Sequence, residues 1–66
     1  MKDFNLGFIK QRRLTLNKTL QEVAFEVGMK NASTYMKYEN GTYSFKAEQL
    51  PPLSVSLMCE IEDFFS

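Results

Sequence analysis

The sequence contains no histidine and only one cysteine, Cys59. A lone cysteine excludes an intramolecular disulfide, and the absence of histidine removes the ligand spacing of a zinc site. Cys59 also has no base to activate it, so we interpret it as a small buried hydrophobic residue near the last helix. The chain has no glycine-rich phosphate loop and no acidic pair with metal-binding spacing. We therefore predict that the protein is not an enzyme and uses no metal, cofactor or small-molecule substrate.

A long apolar run is also missing. The N-terminal residues MKDFNLGFIK contain no stretch apolar enough for a signal peptide or a membrane span. We therefore expect a cytoplasmic protein without a membrane partner. The 66 residues fit a single domain, 1–66, and a domain of this size buries only about 60% of its unfolded surface. Dimerisation would stabilise such a domain.

Neither sign of charge is in excess, because eight basic residues balance eight acidic ones. Their distribution is uneven. Residues 1–45 have a balance of +3 and residues 46–66 a balance of −3. This asymmetry would turn the basic end of the molecule toward phosphates. The alternative is ordinary solvated surface charge, and zero net charge is unusual for a protein that binds DNA.

The most regular pattern in the chain is an apolar stripe after Thr19. It repeats every three or four positions, on one face of a helix: Leu20, Val23, Ala24 and Val27. Thr19 and Glu22 have the spacing of a capping box, which defines the start of this helix. Gly28 can adopt the left-handed conformation that ends it. We predict a helix at Thr19–Val27 followed by a sharp turn.

A second helical pattern follows the turn, from Asn31 or Ala32 to Glu39, and Asn40-Gly41 is its predicted stop. One side of this helix carries Ala32, Tyr35, Met36 and Glu39, with Tyr38 beside them. Each helix has a small residue, Ala24 on the first and Ala32 on the second, that allows the two helices to approach each other closely. Two short helices joined by a sharp turn are typical of a helix-turn-helix.

An additional helix is predicted before this pair, with Asn5 as its N-cap. One of its faces combines apolar residues with one charge: Leu6, Ile9, Arg13 and Leu16. An arginine in an apolar stripe needs a partner, because an unpaired buried charge is costly. Arg12 faces elsewhere and is expected to be free for solvent or phosphate. Lys18 is expected to lay its stem over apolar surface and keep its ammonium in water.

The segment Thr42–Glu48 has no clear period and is predicted to be a loop. Pro51-Pro52 fits the start of a following helix, because the N–H groups of a first helical turn have no intrahelical partner. We predict that this helix runs from Leu50 to Leu57 or Met58.

The last predicted element is a short helix at Ile61–Phe65. Its two rings, Phe64 and Phe65, cannot both face a core this small, so one of them is expected to contact another molecule. We therefore predict a weak homodimer through the C-terminal helices.

These patterns resemble the helix-turn-helix domains of the phage Cro and cI repressor type, the XRE-like family. The resemblance covers residues 6–65 and is carried, in order, by Ile9-x-x-x-Arg13-x-x-Leu16, Thr19-Leu20-Gln21-Glu22-Val23-Ala24, Gly28, Glu39-Asn40-Gly41 and Ile61-Glu62-Asp63-Phe64-Phe65. It implies an all-α fold, a compact five-helix lambda-repressor-like DNA-binding domain with a central helix-turn-helix. The chain departs from the family at Leu20, where many members have a phosphate-binding glutamine, and at Lys18, where they bury a leucine.

The resemblance also implies a function. It predicts a sequence-specific DNA-binding transcriptional regulator, a phage or mobile-element repressor, that inserts its third helix into the major groove of double-stranded DNA. The implied DNA-binding residues lie at the start of the second helix, along the third helix and in the loop after it: Thr19, Gln21, Lys30, Asn31, Ser33, Thr34, Lys37, Asn40, Thr42, Tyr43 and Ser44. Family members pair the arginine and glutamate that match Arg13 and Glu39, so a structural ion pair is predicted there.

A function of a different class stays open. A module of the same fold would bind another regulator instead of DNA, as an antirepressor or antitoxin does. Zero net charge and Leu20 favour this alternative. Two aromatic side chains that lie off the apolar stripes, Phe8 and Phe25, also favour it.

Overall fold

The computed structural model describes residues 4–65, and this part of the chain is helical without any strand. Its four α-helices are α1 (Leu6–Thr15), α2 (Leu20–Glu26), α3 (Ala32–Glu39) and α4 (Leu50–Ser56). Two short 3-10 helices, Ala47–Gln49 and Ile61–Phe65, precede and follow α4. In this range no helix has both the length and the apolar character needed to cross a membrane.

The all-α prediction is therefore confirmed for residues 4–65, whereas a fifth α-helix is not found. Ile61–Phe65 is helical over the predicted residues, but as a 3-10 helix. A segment of five residues is too short to gain much from α-helical cooperativity, and 3-10 geometry is common in such short pieces. The predicted loop Thr42–Glu48 also ends in helical structure, because the 3-10 turn Ala47–Gln49 begins inside it.

The ends of α2 are set by local hydrogen bonds, as the sequence predicts. The Glu22 N–H donates to Thr19 Oγ1 over 3.1 Å, and the Thr19 N–H donates to Glu22 Oε1 over 2.8 Å. Val27 is the C-cap, and Gly28 follows with a φ of +85°. The turn after α2 therefore depends on a residue that tolerates the left-handed region.

The core lies between the helices and includes residues from every α-helix. Its fully buried members are Ile9, Val23, Ala24, Tyr35, Leu53, Leu57 and Phe64. Met36, predicted on the inner side of α3, is instead 46% exposed. Tyr35 occupies the inner face and leaves Met36 at its edge. Cys59 is half-buried near the end of α4, and burial raises the pKa of its thiol.

The two C-terminal phenylalanine rings both contact the core, but only one of them is fully buried. Phe64 is fully buried, and Asn5 N–H donates to the Phe64 carbonyl over 2.6 Å. Phe65 is half-buried and lies edge-on to Phe4, with ring centroids 5.3 Å apart. The Phe4 ring also lies 5.8 Å from the Phe64 ring, so Phe4 links the half-buried Phe65 to the core.

The end of α4 is held by two basic side chains whose charged groups were expected to lie in solvent. Arg12 donates from Nε to the Leu57 carbonyl and from Nη2 to the Met58 carbonyl, each over 2.9 Å. Lys18 Nζ donates to the Ser56 carbonyl over 2.6 Å. The last carbonyls of a helix have no intrahelical donor, so nearby cations satisfy them. The expectation that Arg12 and the Lys18 ammonium are free is wrong.

Candidate nucleic-acid interface

The residues predicted to bind DNA lie mostly on the surface. All are exposed except Thr34, which is half-buried. Direct contacts join them into three small groups: Asn31 with Thr34, Asn40 with Thr42, and Lys37 with Tyr43. Of the remaining residues, Gln21 lies on α2 and Ser33 on α3, two helices that pack together, whereas Thr19 is the N-cap of α2, Lys30 lies in the turn before α3 and Ser44 in the loop after it.

The start of α2 is less suited to binding phosphate than the sequence suggests. Both the backbone N–H and the side-chain oxygen of Thr19 are used in the capping box with Glu22. The Glu22 carboxylate also places negative charge at the helix end where an anion would otherwise be attracted. Gln21 remains exposed there. In the capping box the backbone N–H of Thr19 is therefore occupied, and its exposed hydroxyl keeps its proton as a donor.

The start of α3 is built by Asn31, which is the N-cap rather than the first helical residue. Its Oδ1 accepts hydrogen bonds from the Thr34 N–H over 2.9 Å and from the Thr34 hydroxyl over 3.0 Å. An amide oxygen has two lone pairs, and both are used here. A bidentate contact with adenine needs the oxygen and the nitrogen of an asparagine side chain together. Asn31 therefore retains only its amide donors for DNA.

Two polar residues on the outer side of α3 have side chains that take no part in capping the helix. Ser33 is exposed between Asn31 and the buried Tyr35, and Lys37 is exposed one turn further along. Within residues 4–65, no hydrogen bond or ion pair of the Ser33 or Lys37 side chain is found. Either side chain can therefore reach a partner without breaking a hydrogen bond or an ion pair.

Lys37 is positioned by the loop that follows α3. Its Nζ lies 5.6 Å from the centroid of the Tyr43 ring, within the range of a cation–π interaction. The Tyr43 N–H donates to the Lys37 carbonyl over 3.0 Å. The Tyr43 ring also packs edge-on against Tyr38, with centroids 5.4 Å apart. Tyr43 thus lies against the outer side of α3 and orients its only lysine.

The other loop residues have different surroundings. Asn40 Oδ1 accepts from the Thr42 N–H over 3.0 Å and from the Thr42 hydroxyl over 2.7 Å, so this pair shapes the turn. Gly41 between them has a φ of +90°. Ser44 is exposed. Of the predicted loop residues, Tyr43 and Ser44 present side chains that the turn itself does not use.

The end of α3 is fixed to α1 by Arg13 and Glu39. Arg13 Nε donates to Glu39 Oε2 over 3.0 Å and Nη2 donates to Oε1 over 3.1 Å, a bidentate pair with both residues buried. Arg13 Nη1 also donates to the Lys18 carbonyl over 3.0 Å. The hydrogen bond with Glu39 raises the pKa of Arg13. Burial, with the Glu39 charge adding to it, raises the pKa of Tyr35.

The positive charge available to a partner is smaller than the composition indicates. Three basic residues of the first half, Arg12, Arg13 and Lys18, are committed to contacts inside the chain. The lysines that remain exposed within residues 4–65 are Lys10, Lys30, Lys37 and Lys46. Among these, Lys30 lies in the turn before α3 and Lys46 just before the 3-10 turn that leads to α4.

Sequence reasoning misses the roles of Arg12 and Lys18, although a signal for them exists. The last turn of α4 contains no basic residue and is followed by Met58 in the left-handed region. Its carbonyls therefore need donors from elsewhere in the chain. Arg12 and Lys18 lie outside the apolar stripes, so both were candidates to donate hydrogen bonds to these carbonyls.

Comparison with known proteins finds no matching family model, no matching curated protein and no matching solved structure.

Proposed function

We propose that the chain is a sequence-specific DNA-binding transcriptional regulator, a phage or mobile-element repressor, that inserts α3 into the major groove. The observation that carries the proposal is the arrangement of α2 and α3 around the Gly28 turn. The inner face of α3 is buried through Tyr35, and its outer face exposes Ser33 and Lys37. A helix presented in this way can place short polar side chains against base edges.

We also propose that the fold is that of a lambda-repressor-like domain. It is supported by the order of α1 to α4 and by the closing 3-10 helix packed on α1. The Arg13–Glu39 pair also supports it, because a recognition helix has to be held rigidly against its neighbours to read bases.

The exposed residues divide the work between them. Ser33 and Lys37 would contact base edges, since they are the uncommitted side chains on the outer side of α3. Lys30 and Lys46 flank that helix in turns and would contact phosphates. Phosphate contacts set position and affinity, whereas base contacts set sequence preference.

The commitment of three basic residues to internal contacts affects the expected affinity. Each cation that neutralises a phosphate releases counterions and adds to non-specific binding. With only Lys30 and Lys46 as phosphate contacts, non-specific binding is expected to be weak, so the affinity for an operator depends more on base contacts.

Selection of bound duplexes from a random library tests this proposal. Recovered sequences should share a motif, and the protein should bind that motif at least about a thousandfold more tightly than random duplex at equal salt. Ser33→Ala should reduce this ratio, whereas Gln11→Ala, at an exposed position on α1, should leave it unchanged. Recovery of unrelated sequences only would contradict the proposal.

A second candidate is a protein-interaction module of the same fold, such as an antirepressor or antitoxin. The specific observation in its favour is Phe25, which is 81% exposed on α2. The small number of uncommitted cations also favours it. This candidate predicts no enrichment in the duplex selection and retained binding to a protein partner at high salt.

A weak homodimer is also part of the proposal. Its predicted location is the C-terminal helices, where Phe64 is fully buried and Phe65 is half-buried against Phe4. The half-exposed Phe65 ring and Ile61, which is 38% exposed, are the apolar side chains of the last helix that such a dimer would cover.

A further inference from the structure

A small cleft lies where α1 meets the start of α2 and the end of α3. Its volume is about 310 Å³, and it is lined by Lys10, Arg13, Leu20, Met36, Glu39 and Asn40. Arg13 and Glu39 are buried there, whereas Lys10 and Asn40 are exposed. Lys10 has no part in the division of DNA contacts proposed above.

The cleft has one positive charge that remains available to a partner. Arg13 and Glu39 neutralise each other through their bidentate contact. Within residues 4–65 the Lys10 side chain has no hydrogen bond, ion pair or ring contact. An anion can therefore bind Lys10 without breaking a contact of the chain. A charge-assisted hydrogen bond of this kind is roughly twice as strong as one between neutral groups.

The Asn40 side chain adds a donor whose orientation is fixed. Its Oδ1 accepts from the Thr42 N–H over 3.0 Å and from the Thr42 hydroxyl over 2.7 Å, which uses both lone pairs of the oxygen. The amide nitrogen keeps its hydrogens as donors. The cleft thus combines a cation with an amide donor that the turn already holds in place.

The negative end of the α3 dipole lies beside this cleft and opposes the binding of an anion. The backbone of the following turn weakens that opposition. The carbonyls of Met36, Lys37 and Tyr38 each accept a hydrogen bond from a backbone N–H within residues 40–43. Little of the partial negative charge of these carbonyls therefore remains for an anion to meet.

The cleft adjoins the side of α3 that is proposed to read bases. Met36 and Asn40 follow Ser33 by three and seven positions, so the three residues lie along one side of the helix. When the second helix of a helix-turn-helix enters the major groove, the first helix crosses the DNA backbone. Leu20, the first residue of α2, forms a wall of the cleft. The cleft is therefore directed toward the backbone at the edge of the groove.

The chemistry of the cleft matches that of a nucleotide backbone. Such a backbone presents a phosphate beside the apolar carbons of deoxyribose. Lys10 and Asn40 offer donors for the phosphate oxygens, and Leu20 and Met36 offer apolar walls for the sugar.

We propose that Lys10 and Asn40 bind one phosphate of the DNA backbone in this cleft, Lys10 through Nζ and Asn40 through Nδ2. The inference rests on the proposed function and adds α1 to the DNA-binding surface. Lys10 becomes a third lysine in contact with phosphate, besides Lys30 and Lys46.

Binding to a random-sequence duplex between about 50 and 200 mM salt tests the inference. Each neutralised phosphate contributes about −0.9 to the slope of log affinity against log salt, so three contacts give about −3 and two give about −2. Lys10→Ala should change the slope from the first value to the second. It should also weaken binding about eightfold at 0.1 M salt, the factor to which a slope difference of about 0.9 amounts between 1 M and 0.1 M. Lys10→Arg keeps the charge and should behave as the wild type.

Gln11→Glu is the matched control, because it lowers the net charge of the chain by one, as Lys10→Ala does. Gln11 is exposed and lies on the side of α1 away from the buried Ile9. Its substitution should leave the slope unchanged. Thermal unfolding followed by circular dichroism should give similar midpoints for all variants, because both side chains are exposed. Equal slope changes in Gln11→Glu and Lys10→Ala would show an effect of net charge alone and would overturn the inference.

The side-chain amide protons of Asn40 report on the cleft directly by NMR. They should shift when duplex is added to the wild type, and shift less in Lys10→Ala at equal occupancy. Asn40 amide protons that stay unshifted in the wild type would remove the phosphate from this cleft.

The same titrations separate this inference from the proposed function. A wild-type slope of about −2 that Lys10→Ala leaves unchanged would overturn the inference and leave the proposed function standing. A complete absence of salt-dependent binding would contradict both. Tighter binding of an oligoglutamate peptide than of duplex, lost in Lys10→Ala, would assign the cleft to an acidic protein and would also overturn the inference.

Discussion

The two ends of α3 are held by different chemistry. At its C-terminal end, the buried Glu39 carboxylate pairs with Arg13 through two hydrogen bonds. At its N-terminal end, the exposed Asn31 side chain accepts two hydrogen bonds from Thr34. The buried end anchors the helix to α1, whereas the exposed end only shapes its first turn. Residues at the C-terminal end therefore serve stability, whereas the proposed function divides the residues at the N-terminal end between stability and DNA binding.

The largest effect is expected at the anchored end. Arg13→Met and Glu39→Met should each lower the free energy of unfolding by on the order of 3 kcal/mol, because each leaves a buried charge unpaired. The double variant should lose less than the sum, since it removes both charges together. Urea unfolding of the four proteins measures this. Additive losses would show that the two side chains do not interact.

At the exposed N-terminal end of α3, substitutions of Ser33 and Asn31 should have different effects. Ser33→Ala should weaken binding to the selected operator by about 1–3 kcal/mol, with little change on random duplex or in stability. Asn31→Ala should instead lower the free energy of unfolding by about 1 kcal/mol, because it removes a helix cap. Fluorescence anisotropy and urea unfolding distinguish the two. The comparison breaks down if Asn31→Ala leaves stability unchanged.

Asn31→Asp refines that test. It keeps a side-chain oxygen that can accept from Thr34 but removes the amide donors. Stability should stay near that of the wild type, while operator affinity should fall through loss of the donors and repulsion from phosphate. Unchanged affinity would show that Asn31 has no part in binding.

A smaller effect is expected where the loop contacts α3. Tyr43→Leu removes the ring under Lys37, and a double-mutant cycle with Lys37→Ala should give a coupling of about 0.5–1 kcal/mol in operator affinity. Tyr43→Phe keeps the ring and should behave as the wild type. A loss in Tyr43→Phe equal to that in Tyr43→Leu would show that the hydroxyl, rather than the ring, makes the contact. Without DNA, the ε-methylene protons of Lys37 should lose their ring-current shift only in Tyr43→Leu.

The smallest effect concerns pH and lies away from α3. The hydrogen bond from Lys18, followed by that from Ser56, lowers the pKa of Glu26. A lowered folded-state pKa means that the stabilisation is fully present above the unfolded glutamate pKa of about 4.3 and is lost as pH falls through the folded-state value. Because Glu26 is partly exposed, the contribution should stay below about 1 kcal/mol.

Unfolding of wild type and Glu26→Gln at several pH values measures this contribution. The difference in stability between them should be present at pH 7 and should disappear toward pH 3. Glu48→Gln, at an exposed position, serves as the control and should show no such dependence. A difference that grows toward acid pH would contradict the assignment.

The sequence predicts the elements whose ends are set by local bonds. The capping box at Thr19 and Glu22 and the glycine at position 28 place α2 within one residue, because the interactions that define those ends span three residues. It also predicts the exposure of Ser33 and Lys37 on α3, because Tyr35 takes the buried face of the helix, whereas Thr34, also predicted to bind DNA, is half-buried.

Contacts between distant residues are not predicted from such patterns. Arg12 bonds the Leu57 carbonyl 45 positions away, and Lys18 bonds the Ser56 carbonyl 38 positions away. These contacts depend on how α4 docks, which no local period encodes. The same reason explains why Phe65 finds a partner in Phe4. At the candidate site, the sequence predicts that most of the polar side chains are exposed. It does not predict that Asn31 caps α3, because the pattern allows either Asn31 or Ala32 as the first residue of the helix.

Binding of the wild type to a random-sequence duplex, measured between about 50 and 200 mM salt, tests the central claim most directly. With Lys30 and Lys46 as the phosphate contacts, the logarithm of the affinity should fall with the logarithm of salt with a slope of about −2. Lys30→Ala should reduce that slope by about one unit. The absence of salt-dependent affinity even at the lowest salt would contradict DNA binding and would favour a protein as the partner of this surface.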